Sequence, residues 1–117
     1  MAASDWKSFT DQTNRRMGEL RKANPGVSKG FGELATAAIA PGALDSKTKE
    51  LIALGISVAV RCDDCIGFHV KAAISHGATR DEIMETLGMA IYMGAGPSVM
   101  YATHVLDAYD QMAKPKP

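Results

Sequence analysis

Apolar residues along this chain recur at helical spacing, and no strict apolar–polar alternation persists long enough to specify a strand. The pattern predicts about six helices. Ser4 caps a first, mostly polar helix to about residue 23, closed by Asn24, Pro25 and Gly26. A second, shorter helix falls within residues 29–39. Residues 40–46 then form a turn, with Asp45 or Ser46 as the N-cap of a third helix reaching Val60. A fourth runs from about Cys62 to Gly77, a natural C-terminal glycine. Thr79 and Glu82 form a capping box for a fifth, from Arg80 to about Met93. The run Gly94, Ala95, Gly96, Pro97 breaks the chain, and Pro97 suits the first turn of a sixth helix ending near Met112. The last four residues, Lys114 onward, are expected to fray.

The stripes predict how these helices meet. The fourth carries Ile66, Val70, Ala73 and Ile74 toward a core, and His69 falls within that stripe. Cys65 lies one turn before His69 and Cys62 three residues before Cys65, so the three share a face. The third helix is apolar nearly all round, which implies burial by several neighbours. Were the third and fourth helices one straight rod, Glu50 would lie about 18 Å from Cys62. Folded back as a hairpin at Arg61, they bring His69 level with Ala53, and Glu50 is one turn from Ala53. Cys62, Cys65, His69 and Glu50 then line up from the tip of the hairpin inward.

At 117 residues the chain is expected to form a single domain, residues 1–117, with its motif-bearing part at about 47–112. Acidic and basic residues number 13 each, and no basic stripe carries aromatics, which argues against a nucleic-acid partner. The most apolar run, residues 51–60, is half the roughly 20 residues a membrane span needs. The first residues lack the basic start and apolar core of a signal peptide. A cytoplasmic location is the expectation. There a C-x-x-C pair is more often catalytic or metal-binding than a structural disulfide.

The chain's two cysteines are that pair. A structural zinc site wants four ligands, and His76 and His104 belong to no second ligand motif. Neither a metal nor an organic cofactor is expected. A thiol attacks as thiolate, and a helix N-terminus favours the thiolate form. His69 can take or share the proton, and a buried Glu50 can orient the imidazole and act as base behind it. Two cysteines at this spacing can close a disulfide once one is oxidised. These are the parts of a thiol peroxidase or disulfide reductase. His76 reads as a partner of a helix C-terminus, and His104 as a packing or interface residue. Met84, Met89, Met93 and Met100 read as core and interface filler. Trp6 and Phe9 read as pins for the first helix.

Residues 49–102 resemble the alkylhydroperoxidase (AhpD-like) branch of the carboxymuconolactone decarboxylase family. The likeness lies in a Glu twelve residues before C-x-x-C and a His four after it, here Glu50, Cys62, Cys65 and His69. The run from His76 to Glu82 and the break at 94–97 add to it. The resemblance implies an all-α helical bundle assembling as a homo-oligomer, trimer or hexamer. It implies reduction of a hydroperoxide or small disulfide, with Cys65 attacking, Cys62 donating a proton and resolving, and Glu50 and His69 relaying protons. It further implies re-reduction by a thiol or lipoyl-type electron donor. The chain departs from the branch at Asp64, where a histidine is usual. A carboxylate beside the thiol disfavours thiolate unless it turns to solvent or caps the helix, as Asp63 or Asp64 can.

Two other functions fit some of these residues. One is non-redox acid–base chemistry of the lactone decarboxylase kind, which needs no C-x-x-C. The other is a non-catalytic oligomer that senses redox state through its disulfide.

Overall fold

A computed structural model of the chain describes residues 5–114, which are helical apart from short connections, with no strand among them. Five helical elements follow in order: α1 Trp6–Ala23, α2 Pro25–Ile39, α3 Ser46–Ala59, α4 Asp63–Ser75 and α5 Arg80–Met112. The all-α class and nearly every predicted boundary hold. Ser4 and the residues after Lys114 lie outside the described residues. Asp5 caps α1, its carboxylate accepting from the Ser8 backbone N–H at 3.0 Å.

Two boundaries differ from the sequence expectation. Helix α2 begins at Pro25 rather than near Lys29, because proline at the first helical position gives up an N–H that has no partner there anyway. Only Asn24 separates α1 from α2. The predicted fifth and sixth helices run on as α5, broken at the single residue Ala95, whose φ of 55° and ψ of −141° are not helical. The break sits where the Gly-Ala-Gly-Pro run placed it. It draws Gly94 so close to Ser98 that a Cβ on residue 94 would overlap the Ser98 side chain.

The bend between α3 and α4 is a Schellman turn. Arg61 N–H donates to Val58 O at 3.2 Å and Cys62 N–H to Ser57 O at 3.0 Å. Arg61 occupies the left-handed position, φ 58°, that glycine usually fills, at a cost of roughly 1–2 kcal/mol. Gly77, with φ 82°, repeats the motif at the end of α4 and pays no such penalty.

The core is built where α3, α4 and α5 meet, around Leu54, Val58, Ile66, Val70, Ile83, Leu87 and Val105. Trp6 closes it from α1. It is fully buried, its indole N–H donates to Asp107 at 3.0 Å, and its ring meets Phe9 edge-on. Thr10, one turn on, crosses α4 at Gly67, where a Cβ would lie 2.6 Å from the threonine methyl. Glycine there lets α1 lie directly on α4.

The outer surface departs from expectation. Helix α3 buries Glu50, Leu54, Ser57 and Val58 but leaves Ile52 and Ile56, and its C-cap Val60, open. Among the described residues its apolar outer face is left largely open, because α2 packs only lightly against α3 and buries none of its own side chains. Met84 packs on the core, whereas Met89, Met93 and Met100 are exposed.

Candidate functional site

The site lies along the α3–α4 hairpin, and the hairpin's register assembles it. His69, about two turns after the bend on α4, meets Glu50, about three turns before it on α3, with Oε1 2.7 Å from Nδ1. Glu50 is buried and His69 about one-third exposed. With the carboxylate ionised, Nδ1 carries the proton and donates it to Glu50. That leaves Nε2 with a free lone pair, the tautomer of an oriented base.

One turn before His69, at the start of α4, Cys62 and Cys65 are joined by a disulfide with their Cα atoms 5.2 Å apart. Cys62 is the N-cap of the helix. Its sulfur accepts from the backbone N–H of Cys65 at 3.1 Å, in the place a serine or aspartate oxygen commonly takes. An anionic sulfur there would be favoured by that N–H and by the helix dipole. Both cysteines are half-buried, within reach of solvent.

Two neighbours of the pair carry no signal in the sequence. The carboxylate of Asp64 accepts a hydrogen bond from the Thr13 hydroxyl of α1 at 2.5 Å, across 51 residues of chain. The carboxylate of Asp63 lies 3.7 Å from Nδ1 of His104 on α5, and Tyr101 packs against the His104 ring. His104 therefore stands beside the first turn of α4, a more specific place than a general packing role. His76 is the C-cap of α4, its N–H bonded to the last carbonyls of the helix. It takes no part in the site.

Glu50 and His69 also form the polar floor of a cleft of about 620 Å³ between α2 and α3, walled by Phe31, Ile39, Ile52 and Ile56. Lys49 stands at its edge. Its ammonium donates to Ala38 O at 2.9 Å and Ala40 O at 2.6 Å, closing the C-terminus of α2. Among the described residues no three His, Cys, Asp or Glu side chains converge as a metal site. The arrangement has a histidine held by a buried glutamate, a cysteine pair at a helix N-terminus, and apolar space beside the histidine.

Comparison with known proteins gives a consistent result. The profile of the carboxymuconolactone decarboxylase family matches residues 25–108. A crystal structure of a protein of that family from Legionella pneumophila, in its apo form, superposes with a TM-score of 0.91 at 47% identity, covering 93% of this chain and 97% of that one. A Thermotoga maritima protein of the family, suggested to take part in an antioxidative response, superposes with a TM-score of 0.81 at 31% identity, covering 89% of each chain. An uncharacterised protein from Cupriavidus necator is 38% identical over 109 residues, 93% of this chain and 96% of the relative.

Proposed function

The chain belongs to the carboxymuconolactone decarboxylase family, and on that footing we propose that it is a thiol-dependent peroxidase or disulfide reductase of the alkylhydroperoxidase kind. The observation that carries the reading is the Cys62–Cys65 disulfide one turn from a histidine oriented by a buried glutamate. The suggested antioxidative role of the Thermotoga maritima relative agrees with it.

The reaction balances over two steps. Cys65 gives its proton to Nε2 of His69 and attacks the terminal oxygen of a hydroperoxide as thiolate, the O–O bond breaks, and the departing alkoxide takes a proton from Cys62 to leave as alcohol. Cys65 becomes a sulfenic acid. The Cys62 thiolate so formed attacks the Cys65 sulfur, and hydroxide leaves as water with a proton delivered by His69. Glu50 holds Nδ1–H of that imidazole and stabilises its protonated form. Two thiols supply two electrons, and the product is the Cys62–Cys65 disulfide. A dithiol donor of the lipoyl type then restores both thiols by exchange and leaves oxidised.

The active form is a homo-oligomer, trimer or hexamer, in which the open apolar faces of α2, α3 and α5 are covered. No helix among the described residues is long and apolar enough to cross a membrane.

The test is the thiol count and intact mass of reduced, metal-free protein after one equivalent of an organic hydroperoxide. Loss of both thiols with formation of an internal disulfide is expected, and in Cys62→Ser a sulfenic acid should accumulate on Cys65. The apolar cleft over Glu50 and His69 favours a second reading, acid–base chemistry of the lactone decarboxylase kind. Thiols untouched by peroxide would leave that reading standing in place of the first.

A further inference from the structure

The first turn of α4 presents three consecutive residues to three different helices. Asp63 meets His104 of α5, Asp64 meets Thr13 of α1, and Cys65 shares its face with His69, which meets Glu50 of α3. A helix advances about 100° per residue, so this fan follows from its geometry once all three neighbours are packed around it. Asp64 is the residue bonded to Cys65, and a free carboxylate so near a thiol opposes its ionisation. Its negative charge is met from the α1 side by a hydroxyl donor.

The position of that donor is set by packing. Helices α1 and α4 run antiparallel, with Thr10 against Gly67. Three residues on along α1 and three back along α4, Thr13 meets Asp64. Trp6 anchors the start of α1 through its burial and its bonds to Asp107 and Gln111. Thr10 turns its own hydroxyl back to Lys7 O at 3.0 Å, whereas Thr13 reaches across to α4. Arg16 is occupied with Glu19 at 3.0 Å.

We propose that Thr13 is a positioning residue of the thiol site: it binds the Asp64 carboxylate to α1 and so keeps that charge from suppressing the thiolate of the cysteine pair. The proposal rests on the thiol reading given above, and it makes the docking of α1 a condition of thiol reactivity. The charged and titratable groups around the pair are Arg61 in the bend, Asp63 with His104 from α5, Asp64 toward α1, and His69 with Glu50 from α3. Of these, Asp64 is the one governed from α1.

The experiment follows the rate of iodoacetamide alkylation against pH in the reduced full-length protein, with each site mapped by peptide mass. Thr13→Val should move the profile to higher pH and slow alkylation near neutrality by about threefold. Thr13→Ser should restore the wild-type profile. Asp64→Asn should move it the opposite way, and adding Thr13→Val to Asp64→Asn should change nothing more. A purely structural role would slow alkylation equally in both backgrounds and would overturn the proposal. So would a wild-type profile in a folded Thr13→Val protein. Should that variant lose its helical circular dichroism, Asp64→Asn decides alone: an unchanged profile means there is no charge for Thr13 to manage. Peroxide reduction is scored separately on the wild type. Inert wild-type thiols would end the functional reading, while the alkylation profiles would still decide this one.

Discussion

Glu50 is almost out of contact with water, and a carboxylate in that position has to be held by something. The 2.7 Å contact with Nδ1 of His69 does this, and it leaves Nε2 as the imidazole nitrogen that Glu50 does not engage. Replacing either residue should therefore act through the proton, with both cysteines still in place. We expect His69→Ala and Glu50→Gln each to lower peroxide reduction on the order of 100-fold and to move the alkylation profile of Cys65 to higher pH. Unchanged profiles in both variants would remove the relay from the mechanism. His69 and Glu50 were legible in the sequence because they lie on two consecutive helices that a short bend folds back on each other. Thr13 and His104 were not, since nothing in the chain near either residue refers to α4.

The helices start and stop on local chemistry. Asp45 caps α3 by accepting from Thr48 N–H at 2.8 Å, and the Thr48 hydrogen bonds hold its carboxyl below its ordinary value. Thr79 and Glu82 complete the capping box at the start of α5. Glu82 also pairs with Lys47 of α3 at 2.7 Å, joining the two helices beside their N-termini. The Lys47 hydrogen bond, followed by the Thr79 N–H, lowers the pKa of Glu82 from its ordinary 4.5. A carboxylate with a depressed folded pKa contributes stability that is present above its unfolded value and lost as pH falls through its folded one. Thermal melts should thus show wild type losing stability below about pH 4.5, and Glu82→Gln should flatten that slope. Because the pair is open to solvent, the difference should shrink in high salt. An equally steep acid slope in the variant would show that other carboxylates govern it.

On the scale of the molecule, the unpartnered surface outweighs any single contact. Phe31 is 69% exposed on α2, Ile56 55% on α3 and Tyr92 78% on α5, each among other open apolar residues. Monomeric soluble proteins rarely leave so much contiguous apolar surface in water. Light scattering on purified protein should give a trimer or hexamer, and Ile56→Asp should shift it toward smaller species while the helical signal persists. A wild type that runs as a monomer at micromolar concentration would contradict the assembly. Ile52 and Ile56 wall the cleft over Glu50 and His69, so a partner covering this face of α3 would also govern access to that pair.

What the sequence determined by itself is what depends on neighbours a few residues apart. Caps at Asp45 and Thr79, the stop at Gly77, the break near Ala95 and the Glu50–His69 register all follow from helix pitch and short turns. The one misplaced start, at Pro25, was a local signal weighed as a terminator when it also begins a helix. The tertiary structure alone decided which side of each helix meets another. It tied Asp64 to Thr13 and Asp63 to His104, seated Trp6 under Asp107, and left α2 and the outer face of α3 bare. An apolar stripe records that a face wants to be buried, but it does not name the partner. Which helix covers it is settled by the packing of distant segments, or by another chain.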